Sequence, residues 1–159
     1  MGQEITSSQF SNHDFAQFSR RLEEETRLLE TMFREQRFDH VNNIGGLEIE
    51  AWLTSPSGLA SPVNNTFLKQ LNNPLVVHEL AAFNVELNSE PVRLTSRALL
   101  QMETGLQSTW DACRNVAREL SIDIMMIGIL PSVQQRQLTL ANMSQLNRYR
   151  ALNEQVLKL

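Results

Sequence analysis

Apolar and polar positions follow three different rhythms along the chain. Over residues 14–38, Phe15, Phe18, Leu22, Leu29 and Phe33 recur at helical spacings, which predicts a long amphipathic helix. Arg20 with Glu24, and Arg21 with Glu25, stand four residues apart on its polar side, where they can pair. From Gly46 to Leu53 the period drops to two: Leu47, Ile49, Ala51 and Leu53 point one way, and Glu48, Glu50 and Trp52 the other. That alternation predicts a strand. It returns inside a second strand region, Leu75–Asn88, where Phe83, Val85 and Leu87 oppose Asn84, Glu86 and Asn88. Ile122–Leu130 is apolar apart from Asp123 and is closed by Pro131, which predicts a central strand buried on both faces.

Helical patterns fill the intervals. Asn65–Leu71 predicts a short helix stopped by Asn72-Asn73-Pro74, and Thr95–Leu120 a long one. The buried stripe expected on the long helix is Leu99, Met102, Leu106, Trp110, Cys113, Ala117 and Leu120. Ser144–Leu157 predicts a last helix, with Ser144 as its cap. Residues 1–13 read as a loose arm, Asn42–Gly46 as a turn, and Ser55–Pro62 as a loop. The order is helix, strand, short helix, strand, long helix, strand, helix. This is α/β content with a small sheet of three strands. Long helices on one face would leave the other face open, and the polar stripes of the first two strands point there.

Composition narrows the function. The 159 residues carry a net charge of −4, too acidic for a surface that tracks nucleic-acid phosphates. Residues 1–40 hold 5 basic and 8 acidic groups, read as a solvated helix face. The single cysteine, Cys113, rules out an internal disulfide and fits a reducing, cytoplasmic setting. Its place on the apolar stripe predicts a small core residue rather than a nucleophile. No apolar stretch reaches the roughly 20 residues that span a bilayer, so no membrane partner is expected. A myristoylation-like match at Gly2–Thr6 and glycosylation triplets at Asn64 and Asn142 are short enough to arise by chance.

The informative chemistry is acidic. Glu48 and Glu50 lie two apart on one strand, so their carboxylates share a face, roughly 7 Å apart at Cβ. Glu86 lies on the matching stripe of the second strand region, and Glu79 near its start. Neighbouring strands would bring three or four carboxylates together, and such charges repel unless a cation offsets them. Mg²⁺ with substrate phosphates suits oxygen ligands of this kind. A sheet face merely wetted by glutamates is the other reading. Asn84 and Asn88 flank Glu86 and could position a polar substrate or cap the strand. Trp52 reads as a packing aromatic at the sheet rim, and His78 as a hydrogen-bonded structural residue; His13 and His40 have no motif around them.

Gly46-Leu47-Glu48-Ile49-Glu50-Ala51-Trp52-Leu53, then Glu79-Leu80 with Phe83–Asn88, then Ile127–Pro131, then Met143-Ser144 with Arg148-Tyr149, resembles the glutamate–cysteine ligase family. More broadly it resembles the catalytic fold of glutamine synthetase and its carboxylate–amine ligase relatives. The resemblance covers about residues 44–157. It implies an α+β fold, a small, mostly antiparallel, curved sheet with long helices packed on one face, and residues 44–159 as the N-terminal part of a catalytic domain behind an arm and helix at 1–43.

The activity it implies is ATP- and Mg²⁺-dependent. The γ-carboxylate of glutamate is phosphorylated and the amine of cysteine, or of another acceptor, attacks the acyl phosphate, as in glutathione biosynthesis. Carried over residue by residue, Glu48, Glu50, Glu79 and Glu86 become metal ligands for Mg²⁺ or Mn²⁺. Asn84 and Asn88 line the substrate pocket, and Arg148 is the catalytic arginine. Family members continue well beyond this length, so the chain is expected to hold the first third to half of such a core and to be inactive alone, with unpaired strand edges open to self-association. The alternative is a non-catalytic binding or interaction module that retains the ligase fold.

Overall fold

In the computed structural model, residues 3–39 and 41–156 are described. Gly2, His40 and Leu157, which the sequence reading touches, lie outside them. The chain divides into two compact units, residues 1–43 with 145–159, and residues 44–144.

In the first unit, helix α1 runs Asn12–Arg34. Ser11 caps it: the Asp14 N–H donates to Ser11 Oγ at 3.3 Å, and the Ser11 N–H donates back to Asp14 Oδ2 at 2.8 Å. This reciprocal box satisfies backbone donors that the first turn leaves without partners. The bonds from Ser11 hold the Asp14 carboxyl below its ordinary range. Arg20 pairs with Glu24, Arg27 with Glu23 and Arg34 with Glu30 along the polar side. No residue of α1 is buried, and the apolar row from Phe15 to Phe33 stands exposed. A second helix of this unit, Asn147–Val156, completes it. Its first N–H donates to Glu4 Oε1 at 2.7 Å, and the Asn147 side chain donates to the Ile5 carbonyl at 3.0 Å, so part of the expected loose arm is tied down.

The second unit holds the sheets. Among the described residues, strand β1 (Ile44–Gly45) pairs only with β5 (Val92–Arg93). The main sheet contains β2 (Glu48–Thr54), β3 (Val76–His78), β4 (Asn84–Asn88) and β6 (Asp123–Met125), in the order β3-β4-β2-β6, all neighbours antiparallel. Helix α2 spans Asn64–Leu71 and α3 spans Ala98–Glu119; the Asn147–Val156 helix is α4. The arrangement is α+β, as expected. The predicted second strand region is two strands, because residues 79–83 turn the chain back on itself and set Val77 opposite Glu86.

The odd-numbered positions of β2 and β4 build the core. Ala51, Leu53, Val85 and Leu87 pack with Val76 of β3, Phe67 of α2, and Cys113 and Ala117 of α3. Asn72 ends α2 in the left-handed conformation at φ 47°, which asparagine tolerates better than most side chains. Two expectations fail here. Leu99 does not join the buried stripe of α3 and is exposed, while Thr109 is buried. Ile122–Leu130 is not a central strand buried on both faces: only Asp123–Met125 is extended, at the sheet edge, with Asp123 and Met125 exposed. An apolar run of this length has no periodicity that distinguishes edge from centre, and Asp123 already breaks it.

Cys113 is fully buried, and burial pushes its thiol up to about 12. A thiol-reactive dye at about pH 8 is therefore expected to leave Cys113 unlabelled until denaturant opens the core. Labelling of the native chain at the rate of a free thiol would contradict this packing.

Candidate functional site

The even-numbered positions of β2 and β4 form the opposite face of the sheet. Antiparallel register sets Glu48 opposite Asn88, Glu50 opposite Glu86, and Trp52 opposite Asn84. Directly opposed side chains in such a pair have Cβ atoms about 4.5–5.5 Å apart, so two carboxylates confront each other. The two differ in surroundings: Glu50 is exposed, whereas Glu86 is only 7% exposed and accepts a hydrogen bond from Asn88 Nδ2 at 2.8 Å.

Glu79 enters from the β3–β4 turn. Its carboxylate accepts the Leu80 N–H at 2.8 Å. Burial, more than anything else, raises its pKa above the ordinary value; the charges of Glu50 and Glu86, and a hydrogen bond shared with Glu86, push the same way. The Leu80 bond opposes these effects without overcoming them. Glu79 thus feels both Glu50 and Glu86. Glu48 sits at the exposed end of the stripe, where with Glu50, Met126, Ile127 and Gly128 it lines an open cleft of about 390 Å³.

Asn84 and Asn88 are both buried on this face. The Asn84 side chain donates to the Ala51 carbonyl at 3.4 Å. Asn88 Nδ2 also donates to the Leu75 carbonyl at 3.4 Å, while its Oδ1 finds no partner among the described residues. Trp52 stacks on Phe83 with ring centroids 5.2 Å apart, the packing role expected of it. His78 Nε2 lies 2.6 Å from Asn65 Oδ1, also as expected. Arg148 belongs to the other unit, on α4, where its guanidinium bonds the Tyr149 hydroxyl at 2.9 Å and lies 4.7 Å from that ring's centroid.

Among the described residues, no group of three or more His, Cys, Asp or Glu side chains forms a ready-made metal cage. The donor chemistry still fits a hard divalent cation: every candidate atom is a carboxylate or amide oxygen, and the buried, unpartnered Asn88 Oδ1 lies on the same strand face as Glu86. Mg²⁺ keeps several waters and needs only one or two carboxylates beside substrate phosphates.

The sequence reading missed Asn64 and misplaced Ser144. Asn64 is buried rather than a surface acceptor for sugar, and its amide donates to Ser144 Oγ at 2.8 Å. Ser144 caps no helix: its hydroxyl donates to the Glu79 carbonyl. Partners separated by 80 residues leave no local signal.

A family model described as glutamate-cysteine ligase family 2 matches residues 25–159. No curated protein and no solved structure matches the chain. No described helix is long and apolar enough to cross a membrane.

Proposed function

The chain belongs to glutamate–cysteine ligase family 2, and from that premise we propose that it supplies the acidic face on which an ATP- and Mg²⁺-dependent ligase joins the γ-carboxyl of glutamate to the amine of cysteine. The observation that carries this reading is the register of Glu50 against Glu86, with Glu79 raised first by burial and then by the charges of both. Like charges held together on one face gain from a divalent counterion.

In this reading Glu50, Glu79 and Glu86 would hold Mg²⁺, or Mn²⁺ in its place, with Glu48 at the rim, and the group would supply counter-charge to the phosphates of ATP. Asn88 holds the Glu86 carboxylate through its amide N–H. Asn84 fixes β4 against β2 through Ala51 and so helps to shape the substrate pocket. Arg148 is the proposed catalytic arginine, supplying counter-charge to the transferring phosphoryl group. The rate then comes mostly from position and counter-charge, since phosphoryl transfer leaves the protein little covalent chemistry to do.

The test is ADP release by the enzyme that carries this segment. Release is expected only when glutamate, cysteine and a divalent cation are all present, and chelation with EDTA should stop it. ADP release indifferent to both amino acids would overturn the ligase reading. No release under full conditions would favour a non-catalytic module with this fold.

A further inference from the structure

Five consecutive carbonyls around the β3–β4 turn all have partners, and most of those partners come from elsewhere in the unit. Glu79 O accepts the Ser144 hydroxyl, and Leu80 O accepts the Ser144 N–H at 2.8 Å. Ala81 O accepts the Asn84 N–H at 2.9 Å and Asn64 Nδ2 at 3.4 Å. Ala82 O accepts the Asn64 N–H at 2.9 Å, and Phe83 O accepts the Leu53 N–H at 2.7 Å. Asn64 and Ser144 are 1% and 0% exposed. They are joined, since Asn64 Nδ2 donates to the same Ser144 oxygen that donates to Glu79. The buried amide also donates to the Asn84 carbonyl at 3.2 Å, at the start of β4.

This is more fastening than a five-residue hairpin turn needs. A turn at a sheet edge normally relies on its own backbone bonds and solvent. Here the first turn residue carries a carboxylate that two neighbouring carboxylates repel. An unfastened turn would relieve that repulsion by swinging Glu79 outward into water. Neither Asn64 nor Ser144 carries a charge or belongs to the acidic stripe, and both act on backbone.

We propose that Asn64 and Ser144 are positioning residues that clamp the turn from Glu79 to Ala82 and so keep the Glu79 carboxylate beside Glu50 and Glu86. The clamp rests on the reading of this face as a cation-holding surface. Its action is mechanical: a relay from the Asn64 amide through the Ser144 hydroxyl to the Glu79 carbonyl fixes the backbone from which the carboxylate projects.

The test uses the full chain with Ser144→Ala, which removes the hydroxyl, and Ser144→Thr, which keeps it. One readout needs no metal: hydrogen exchange of the Leu80 amide, whose acceptor is the Glu79 carboxylate. Ser144→Ala should speed that exchange about tenfold, the scale of one lost hydrogen bond, while the Ala51 and Val85 amides of the central ladder keep their wild-type rates. The second readout is Mn²⁺ affinity by electron paramagnetic resonance, which Ser144→Ala should weaken about tenfold and Ser144→Thr should restore. A variant that melts at a lower temperature yet keeps wild-type Leu80 exchange and Mn²⁺ affinity would show a purely structural role and overturn the proposal. If wild type itself binds no Mn²⁺, the cation reading fails and Leu80 exchange alone decides the clamp. If Ser144→Ala does not fold, Asn64→Ser is measured in its place, with the same outcomes deciding.

Discussion

Phe67→Ala is expected to cost about 3–5 kcal/mol of folding free energy. The ring is fully buried on α2, the largest side chain with no exposed surface, and it shares one core with Ala51, Leu53, Val76, Val85, Leu87, Cys113 and Ala117. Three of those seven neighbours are Ala or Cys, too short to fill the space a ring would leave. A small domain holds only about 5–15 kcal/mol in all, so the loss takes a large share. Urea unfolding followed by circular dichroism should show the midpoint fall with an unchanged slope. A change below about 1 kcal/mol would mean that the helices collapse onto the sheet without the ring. Because α2 begins at Asn64, the same substitution should also loosen the turn that carries Glu79.

Glu86→Gln is expected to push stability and cation binding in opposite directions. Glutamine keeps the oxygen that accepts from Asn88 and removes the charge that faces Glu50. Relief of a directly opposed like-charge pair is worth about 0.2–1 kcal/mol, so the metal-free variant should melt a few degrees higher. Mn²⁺ affinity should fall by more than the roughly 10–100-fold that loss of an outer-shell partner costs a metal site. The pH dependence follows from Glu79. Its folded pKa is raised, so its stabilising contribution is complete below the ordinary value of 4.5 and is lost as pH climbs through the folded value. In EDTA, wild type should therefore lose melting temperature as pH rises through that window. The slope should be shallower in Glu86→Gln, which lacks one of the charges acting on Glu79. Calorimetric scans across pH check both statements. A variant that is less stable and binds Mn²⁺ as before would refute the electrostatic account of this face.

Period-two alternation was enough to find the acidic face. Glu48, Glu50 and Glu86 were placed together because a strand sends alternate residues to opposite sides, and that holds whatever the partner strand is. The pairing of β2 with β4 extended the inference from one strand to two. Glu79 is legible only as lying near the start of the second strand region; its approach to Glu86 depends on a tight turn at 79–83 that carries no glycine or proline to announce it. The Ile122–Leu130 run misleads because a stretch of seven apolar or small residues after Asp123 reads as a buried strand, whereas Ile129 ends up 78% exposed and only Leu130 is sealed. Ser144 looked like a cap because serine before a helix usually is one, and its true partners, Asn64 and Glu79, lie far back in the chain.

Strand β2 divides two jobs by parity over its first six residues, Glu48–Leu53. Its odd positions, Ile49, Ala51 and Leu53, face the helices, and its even positions, Glu48, Glu50 and Trp52, face away from them; β4 repeats the scheme with Val85 and Leu87 against Asn84, Glu86 and Asn88. Architecture and chemistry are thus written on alternate letters of the same two words. The even letters offer an engineer a palette for altering ion or acceptor preference while the odd ones keep the scaffold intact.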